Sequence, residues 1–265
     1  MGDTDDRFRP APDLAVVIPV HNEQGNIGPL LDEVDAVFAG AAESIEILVV
    51  DDGSTDSTRE VLRQACAGRS TLTVIKHSSN RGQSASLLSG VRRARAPWIA
   101  TLDGDGQNDP GDIPALWAVV VGGTPDPELK MVAGHRRQRH DMWLRRASSR
   151  IANAVRGNVL GDHTPDTGCG LKLFERETFL RLPHFDHFHR FLPALVQRAG
   201  GKVVSVDVRH RPRSSGQSHY GIGNRLWVGL ADLLGVLWLG RRAAPWRVDT
   251  VSEAGVEHDN EDRIE

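Results

Sequence analysis

The chain has 265 residues, 39% of them hydrophobic, with 32 Lys and Arg against 35 Asp and Glu and a formal net charge of −3. That length and apolar share suit one large α/β domain with elaborations, or two small domains, and the charge balance excludes a whole-molecule electrostatic binder of nucleic acid. Two cysteines, Cys66 and Cys169, exclude a disulfide framework and stand in no zinc-finger spacing, which points to a reducing cytoplasm.

Residues 1–12 are charged, lack the apolar core of a secretion signal and read as a flexible lead. Leu14 to Val20 is a continuous apolar run, the pattern of a strand buried on both faces, and it ends in Pro19-Val20-His21-Asn22-Glu23. Apolar residues at Ile27, Leu30, Leu31, Val34 and Phe38 predict a helix over about 26–38. A second buried strand, Ile45 to Val50, runs into Asp51-Asp52-Gly53-Ser54, and a helix capped by Asp56 or Ser57 follows.

Leu72 to Lys76 reads as a third strand, Asn80-Arg81-Gly82-Gln83 as a turn and Ser84 to Ala94 as a third helix. Pro97 to Leu102 is a fourth strand leading into Asp103-Gly104-Asp105-Gly106-Gln107. Strands alternating with helices of this length predict a doubly wound, parallel sheet, in which ligands bind beyond the carboxyl ends of the strands. Three polar clusters, around Glu23, Asp51 and Asp103, follow strand ends, so the topology gathers them at one mouth.

In isolation the acidic turn is most simply a turn, because Asp and Gly are default turn residues. If the backbone there stays extended, the spacing of Asp103 and Asp105 sends both carboxylates to one side, with Gln107 after them, an oxygen set suited to Mg²⁺ or Mn²⁺. The glycine-rich fingerprints that cradle dinucleotide or nucleotide phosphates are missing after the first strand, which favours metal as the means of holding phosphate.

Together Val17-Ile18-Pro19-Val20-His21-Asn22-Glu23, Val49-Val50-Asp51-Asp52-Gly53-Ser54 and Asp103-Gly104-Asp105-Gly106-Gln107 resemble the family 2 glycosyltransferases of the GT-A fold. The resemblance implies a Rossmann-like, mostly parallel sheet with C-terminal amphipathic helices. It places Pro19, His21, Glu23, Asp51, Asp52 and Asp103 around the nucleotide of a GDP- or UDP-hexose. It also places Asp103, Asp105 and Gln107 around the metal, with His21 standing where many relatives have Tyr. The domain spans 13–245, with a nucleotide-sugar half over about 13–125 and an acceptor half over about 126–245; residues 246–265 read as an acidic disordered tail.

Further stretches narrow the branch. Met131 to Arg136, Trp143 to Arg150, Asp166 to Phe174 and Arg213-Ser214-Ser215-Gly216-Gln217-Ser218 are similar to the polyprenol-phosphate glycosyltransferases, although His219 replaces the Lys common there. The implied acceptor is a polyprenyl phosphate, the sugar mannose or glucose, and the chemistry an inverting displacement. A phosphate monoester is already anionic at neutral pH, so it needs positioning and charge compensation more than a base. Arg136, Arg145 and Arg213 are the candidate phosphate clamp, with a hydroxyl from Ser148; Asp103, Asp105, Arg136 and Arg213 carry the catalytic reading. Asp166 and Ser218 are given supporting roles, Asp166 as a base or a sugar-orienting acid.

Two rivals stay open: transfer to a sugar hydroxyl, which requires a base such as Asp166, and a non-catalytic sugar-nucleotide-binding module. The histidines are scattered without metal-ligand spacing, and Cys169 reads as a small packed residue. The run Leu226 to Leu239, with Trp227 and Trp238, is a core helix, an interfacial helix at a membrane surface or the face of a homo-oligomer. The second of these gives peripheral attachment to the cytoplasmic face of a membrane.

Overall fold

The computed structural model describes residues 11–41, 43–124, 126–136, 164–212, 232–239 and 242. Seven strands form one sheet: β1 (Leu14–Val20), β2 (Ile45–Asp51), β3 (Leu72–Lys76), β4 (Trp98–Thr101), β5 (Leu129–Arg136), β6 (Lys172–Glu175) and β7 (Lys202–Val208). The helices are α1 (Ile27–Phe38), α2 (Thr58–Ala67), α3 (Gln83–Arg93), α4 (Ile113–Val121), α5 (Arg176–Arg181) and α6 (Leu192–Arg198). A further helix, α7, covers 232–239.

Strand order is β3-β2-β1-β4-β6-β5-β7, and β6 alone runs against its neighbours. Alternation along β1 shows why its sequence is apolar throughout. Leu14, Val16, Ile18 and Val20 pack under α1, α2 and α4, while Ala15 and Val17 pack on the opposite face with α3, α5 and α6. Each such fully buried Leu, Val or Ile contributes about 1.5–3 kcal/mol by leaving water. The close approach of α3 depends on Gly90, where a Cβ would lie 2.5 Å from Val17 Cγ1.

The carboxyl ends of β1, β2, β4, β5 and β7 share one edge of the sheet with the amino end of β6. Lys172, the first residue of β6, pairs with Thr101 on one side and Ala133 on the other. The two halves read from the sequence thus share a single sheet.

Most predicted elements lie within a residue or two of those observed. One local reading changes and one is narrowed. The strand carrying the acidic turn ends at Thr101, and the backbone turns over 104–106 with Gly106 at φ 72°, so Asp103 and Asp105 are not held on an extended strand. At the start of α2 the Asp56 carboxylate accepts from Thr58 N–H at 3.0 Å, while Ser57 makes no side-chain cap. Of the apolar run 226–239, only 232–239 falls within the described residues, and it is helical.

Candidate functional site

Two strand ends are stitched together first. Asn22 adopts a left-handed backbone, φ 58°, which lets its side-chain oxygen accept from Thr55 N–H at 2.8 Å and Asp56 N–H at 3.3 Å. Its own N–H donates to Ser54 Oγ at 3.0 Å. The Glu23 carboxylate accepts from the Asn26 amide at 2.6 Å, and His21 Nδ1 donates to the Asp52 carbonyl at 2.8 Å. Pro19 is partly exposed at this mouth.

Asp51 and Asp52 have separate tasks. Asp51 is 0% exposed and accepts from Ser54 N–H and Arg59 Nε, each at 2.9 Å. Burial pushes its pKa up, but those hydrogen bonds and the Arg59 charge outweigh burial and hold it below the usual value. Asp52 accepts from Arg81 N–H at 2.9 Å and Gly82 N–H at 2.8 Å, and His77 bridges it to Ser89 Oγ. Both carboxylates therefore build the loop walls. Asp52 in particular sets the 80–82 segment from which α3 starts.

That placement brings in a residue the sequence reading passed over. Gln83, first in α3, donates from Nε2 to Asp103 Oδ1 at 2.8 Å. Asp103 N–H donates to Asn108 Oδ1 at 3.1 Å, and Gln107 N–H to Asp105 Oδ1 at 3.1 Å. Burial, and then the nearby negative charge of Asp105, push the Asp103 pKa up against the opposing pull of Lys172 and Arg136. Gly170 lies flat against this group: a Cβ there would sit 2.0 Å from Asp103 Oδ2 and 2.7 Å from Asn108 Oδ1.

Among the described residues no three His, Cys, Asp or Glu side chains converge on one point. Asp103 and Asp105 nevertheless fit a hard cation. Burial and then the Asp105 charge push the Asp103 pKa up, a penalty that a bound divalent cation would offset, with water and substrate oxygens as its further ligands.

Arg136, the last residue of β5, forks onto Asp166 with Nε to Oδ2 at 2.7 Å and Nη2 to Oδ1 at 2.9 Å. The pair is buried, with side chains 14% and 5% exposed. Burial lowers the Arg136 pKa, but Asp166 more than restores it and Asp103 adds to the effect, so the guanidinium stays charged beside the acidic turn. Lys172, also buried, donates to the Cys169 carbonyl; burial lowers its pKa while Cys169, Asp103 and Asp166 oppose the fall. Cys169 reads from the sequence as a small packed residue, and it is buried; Lys172 and Arg136 lie near enough to favour its thiolate, yet burial wins and the thiol is pushed up.

His189, with Nδ1 2.8 Å from Ser84 Oγ, is pushed down to about 3 by burial and then by Lys172, so it is a neutral core histidine. The candidate residues Arg145, Ser148, Arg213 and Ser218 lie outside the described residues. Gln83, Gly170 and Lys172 join the site through contacts distant in sequence, whereas Asn108 joins through one only five residues away.

Gly170→Ala is a sharp probe of this packing. Overpacking is expected to cost about 1–3 kcal/mol, and displacement of Asp103 to weaken Mn²⁺-dependent binding of nucleoside diphosphate by at least about tenfold, each 1.4 kcal/mol of lost contact being one such factor. Calorimetric titration beside thermal unfolding reads both. Unchanged binding would show that Asp103 adjusts freely.

Comparison with known proteins places this geometry among relatives. Residues 15–182 match the family described as glycosyl transferase family 2. The chain is 35% identical over 237 residues to a dodecaprenyl-phosphate galacturonate synthase of Rhizobium johnstonii, covering 88% of this chain and 68% of that protein. It is 31% identical over 210 residues to an undecaprenyl-phosphate 4-deoxy-4-formamido-L-arabinose transferase of Aeromonas hydrophila, covering 79% of this chain but 63% of the relative. Among solved structures, glucosyl-3-phosphoglycerate synthase of Mycobacterium tuberculosis, in complex with Mn²⁺, UDP and phosphoglyceric acid, superposes with a TM-score of 0.61 at 18% identity. That match covers 88% of this chain and 80% of the other. A Pyrobaculum calidifontis mannosyltransferase in complex with GDP-mannose and Mn²⁺ gives 0.61 at 20% identity, covering 89% and 66%. These likenesses identify the fold as GT-A.

Proposed function

The chain belongs to glycosyl transferase family 2, and from that premise we propose that it moves a sugar from a nucleoside-diphosphate donor to the phosphate of a polyprenyl phosphate. The observation that carries this reading is that Arg136, the last residue of β5, and Asp103, two residues past β4, lie at the same edge of the sheet on either side of the start of β6. A fixed cation for an acceptor phosphate and a carboxylate suited to the donor diphosphate then share one mouth. The named activities of the relatives from Rhizobium johnstonii and Aeromonas hydrophila, both acting on polyprenyl phosphates, support it.

In the proposed reaction an acceptor phosphate oxygen attacks the anomeric carbon as the bond to the diphosphate breaks, inverting that carbon. Asp103 and Asp105 would hold the metal, with Gln107 alongside, and Mg²⁺ or Mn²⁺ bound there would neutralise the departing diphosphate. Among the described residues Asp166 takes Nε and Nη2 of Arg136, and Nη1 is the edge the guanidinium would offer to the acceptor. Asp166 thereby orients Arg136. Its two oxygens are both engaged by the guanidinium, which favours this role over that of a base for a sugar hydroxyl.

Incubation of radiolabelled GDP-mannose, UDP-glucose and UDP-galacturonate with undecaprenyl phosphate, with Mn²⁺ or with chelator, tests the reaction. Metal-dependent label in the organic phase from one donor is the expected result. Label in water or on a saccharide instead would replace this reading with the hydroxyl-acceptor one.

A lipid acceptor calls for a membrane-facing surface. No helix among the described residues is long and apolar enough to cross a membrane. In α7, Val236 is buried while Leu234 and Trp238, one turn apart, are 58% and 59% exposed, and the Arg242 guanidinium lies 5.8 Å from the Trp238 ring. That face suits peripheral attachment, aromatic at headgroup depth and basic beside it. Leu234→Ser with Trp238→Ser is expected to abolish co-sedimentation with anionic vesicles while leaving donor binding intact. A change of oligomeric state without loss of sedimentation would assign the face to a second copy instead.

A further inference from the structure

The segment just after β7 folds back onto the acidic turn. Arg211 N–H donates to the Gln107 carbonyl at 3.0 Å, and Asn108 and His210 form an isolated antiparallel bridge. Side chains reinforce the seam. Arg211 Nη2 reaches Asp109 Oδ1 at 2.7 Å, while its Nη1 reaches Glu33 Oε2 on α1 at 2.6 Å. Arg209 Nη1 pairs with the other Asp109 oxygen at 3.1 Å, and its Nε and N–H take Asp112 at 2.9 and 2.7 Å. Asp109 and Asp112 are both buried, so these two arginines supply the charge that makes their burial tolerable.

Inward from that seam every link leads to the carboxylates. Gln107, whose carbonyl Arg211 holds, donates its own N–H to Asp105; Asn108, bridged to His210, accepts from Asp103 N–H. Gly106, at φ 72°, is the pivot between them.

We propose that Arg211, assisted by Arg209, is a positioning residue for the donor site: by gripping Asp109 and the Gln107 carbonyl it fixes the turn that aims Asp103 and Asp105 at a diphosphate-bound divalent cation. The inference rests on the reading that those two acids hold the donor through metal. Arg211 is spent on Asp109, Glu33 and the Gln107 carbonyl, so its effect falls on donor and metal affinity and leaves the acceptor's KM alone. Its fork spans two elements, α1 and the 109–112 turn, a geometry that the single ammonium of a lysine reproduces only in part.

The test uses the full chain and titrates UDP and GDP with Mn²⁺ by calorimetry, following whichever nucleotide the unsubstituted chain binds. Arg211→Met is expected to weaken that binding by at least tenfold and to raise the donor's KM similarly, with KM for undecaprenyl phosphate unchanged. Arg211→Lys is expected to fall between. The double change Asp109→Asn with Arg211→Gln, which keeps a neutral hydrogen-bonding pair, is expected to recover most of the affinity lost in Arg211→Met. A purely structural role would lower the unfolding temperature without separating the two KM values, and that outcome overturns the proposal. So does wild-type Mn²⁺-nucleotide affinity in Arg211→Met. If Arg211→Met does not fold, Glu33→Gln, which releases only the α1 arm, carries the test, with unchanged affinity again counting against it. Asp103→Asn is the control: if it still binds Mn²⁺-nucleotide at wild-type strength, the reading of the acidic turn fails before any role for Arg211 arises.

Discussion

Asp103→Asn is expected to lower sugar transfer by about 100- to 1,000-fold, the usual cost of losing one preorganised electrostatic contact at a reacting centre. The substitution preserves shape, so Asn108 and Gln83 can keep their places, yet the charge that would fix a cation is gone. The metal-free chain gives a second, opposite readout. Asp103 has its pKa raised by burial and by Asp105, so ionised Asp103 opposes folding at neutral pH, and its titration stabilises the fold as pH falls through the raised value. The Asn variant carries no such penalty. Without metal it is expected to melt at or above the temperature of the unsubstituted chain at pH 7, with the gap closing toward acid pH. Asp51 behaves in the reverse sense: its lowered pKa contributes stability above the unfolded carboxylate value, lost as pH drops below it. Thermal scans from about pH 2 to 8 with chelator, which reach below the unfolded carboxylate value, separate the two. A lower melting temperature for Asp103→Asn at pH 7 would contradict the buried-charge account.

The second large effect concerns Arg136. Asp166→Ala strands a buried guanidinium whose only described carboxylate partner is removed, and breaking such a pair costs about 3–5 kcal/mol. For a domain of this size that corresponds to a fall of roughly 6–20 °C in Tm. Asp166→Asn keeps a hydrogen-bond acceptor for Arg136, so it is expected to retain the fold and part of the activity, with the loss appearing in KM for the polyprenyl phosphate. A base would behave differently: Asn there would abolish kcat, leave donor binding intact and remove an acidic limb from the pH–rate profile. The kinetic split therefore decides between the phosphate and hydroxyl acceptors.

The first half of the fold was readable because its signals are local. Leu14–Val20 is an unbroken apolar run, Ile45–Asp51 is interrupted only by Glu46 before its closing Asp51, α1 shows its buried stripe at Ile27, Leu30, Leu31 and Val34, and polar residues mark each strand end. The acidic segment was legible as a turn following a strand, though not its exact backbone, since nothing in Asp-Gly-Asp-Gly says where a strand stops. β6 was harder. Four residues, Lys-Leu-Phe-Glu, carry no periodicity that distinguishes an antiparallel insertion from a loop, and Lys172 reads as a surface residue until its neighbours are known. Gln83 reaches Asp103 across twenty positions and Arg211 reaches Glu33 across 178, so their roles exist only after folding. Asp52 illustrates the converse: its motif drew attention to the nucleotide, while its carboxylate is spent on the backbone of Arg81 and Gly82.

The antiparallel strand also sets an order of events during synthesis. β4 can join β1 soon after it leaves the ribosome, but its outer neighbour β6 begins with Lys172, 71 residues beyond Thr101. β5, although made earlier than β6, has no place beside β4 and must wait for the later strand to come between them. Until then the nascent chain carries an open strand edge on a half-built sheet, a template for pairing with other chains. The exposure lasts as long as residues 102–175 take to be made and captured, so a chaperone that covers the β4 edge is expected to raise the soluble fraction.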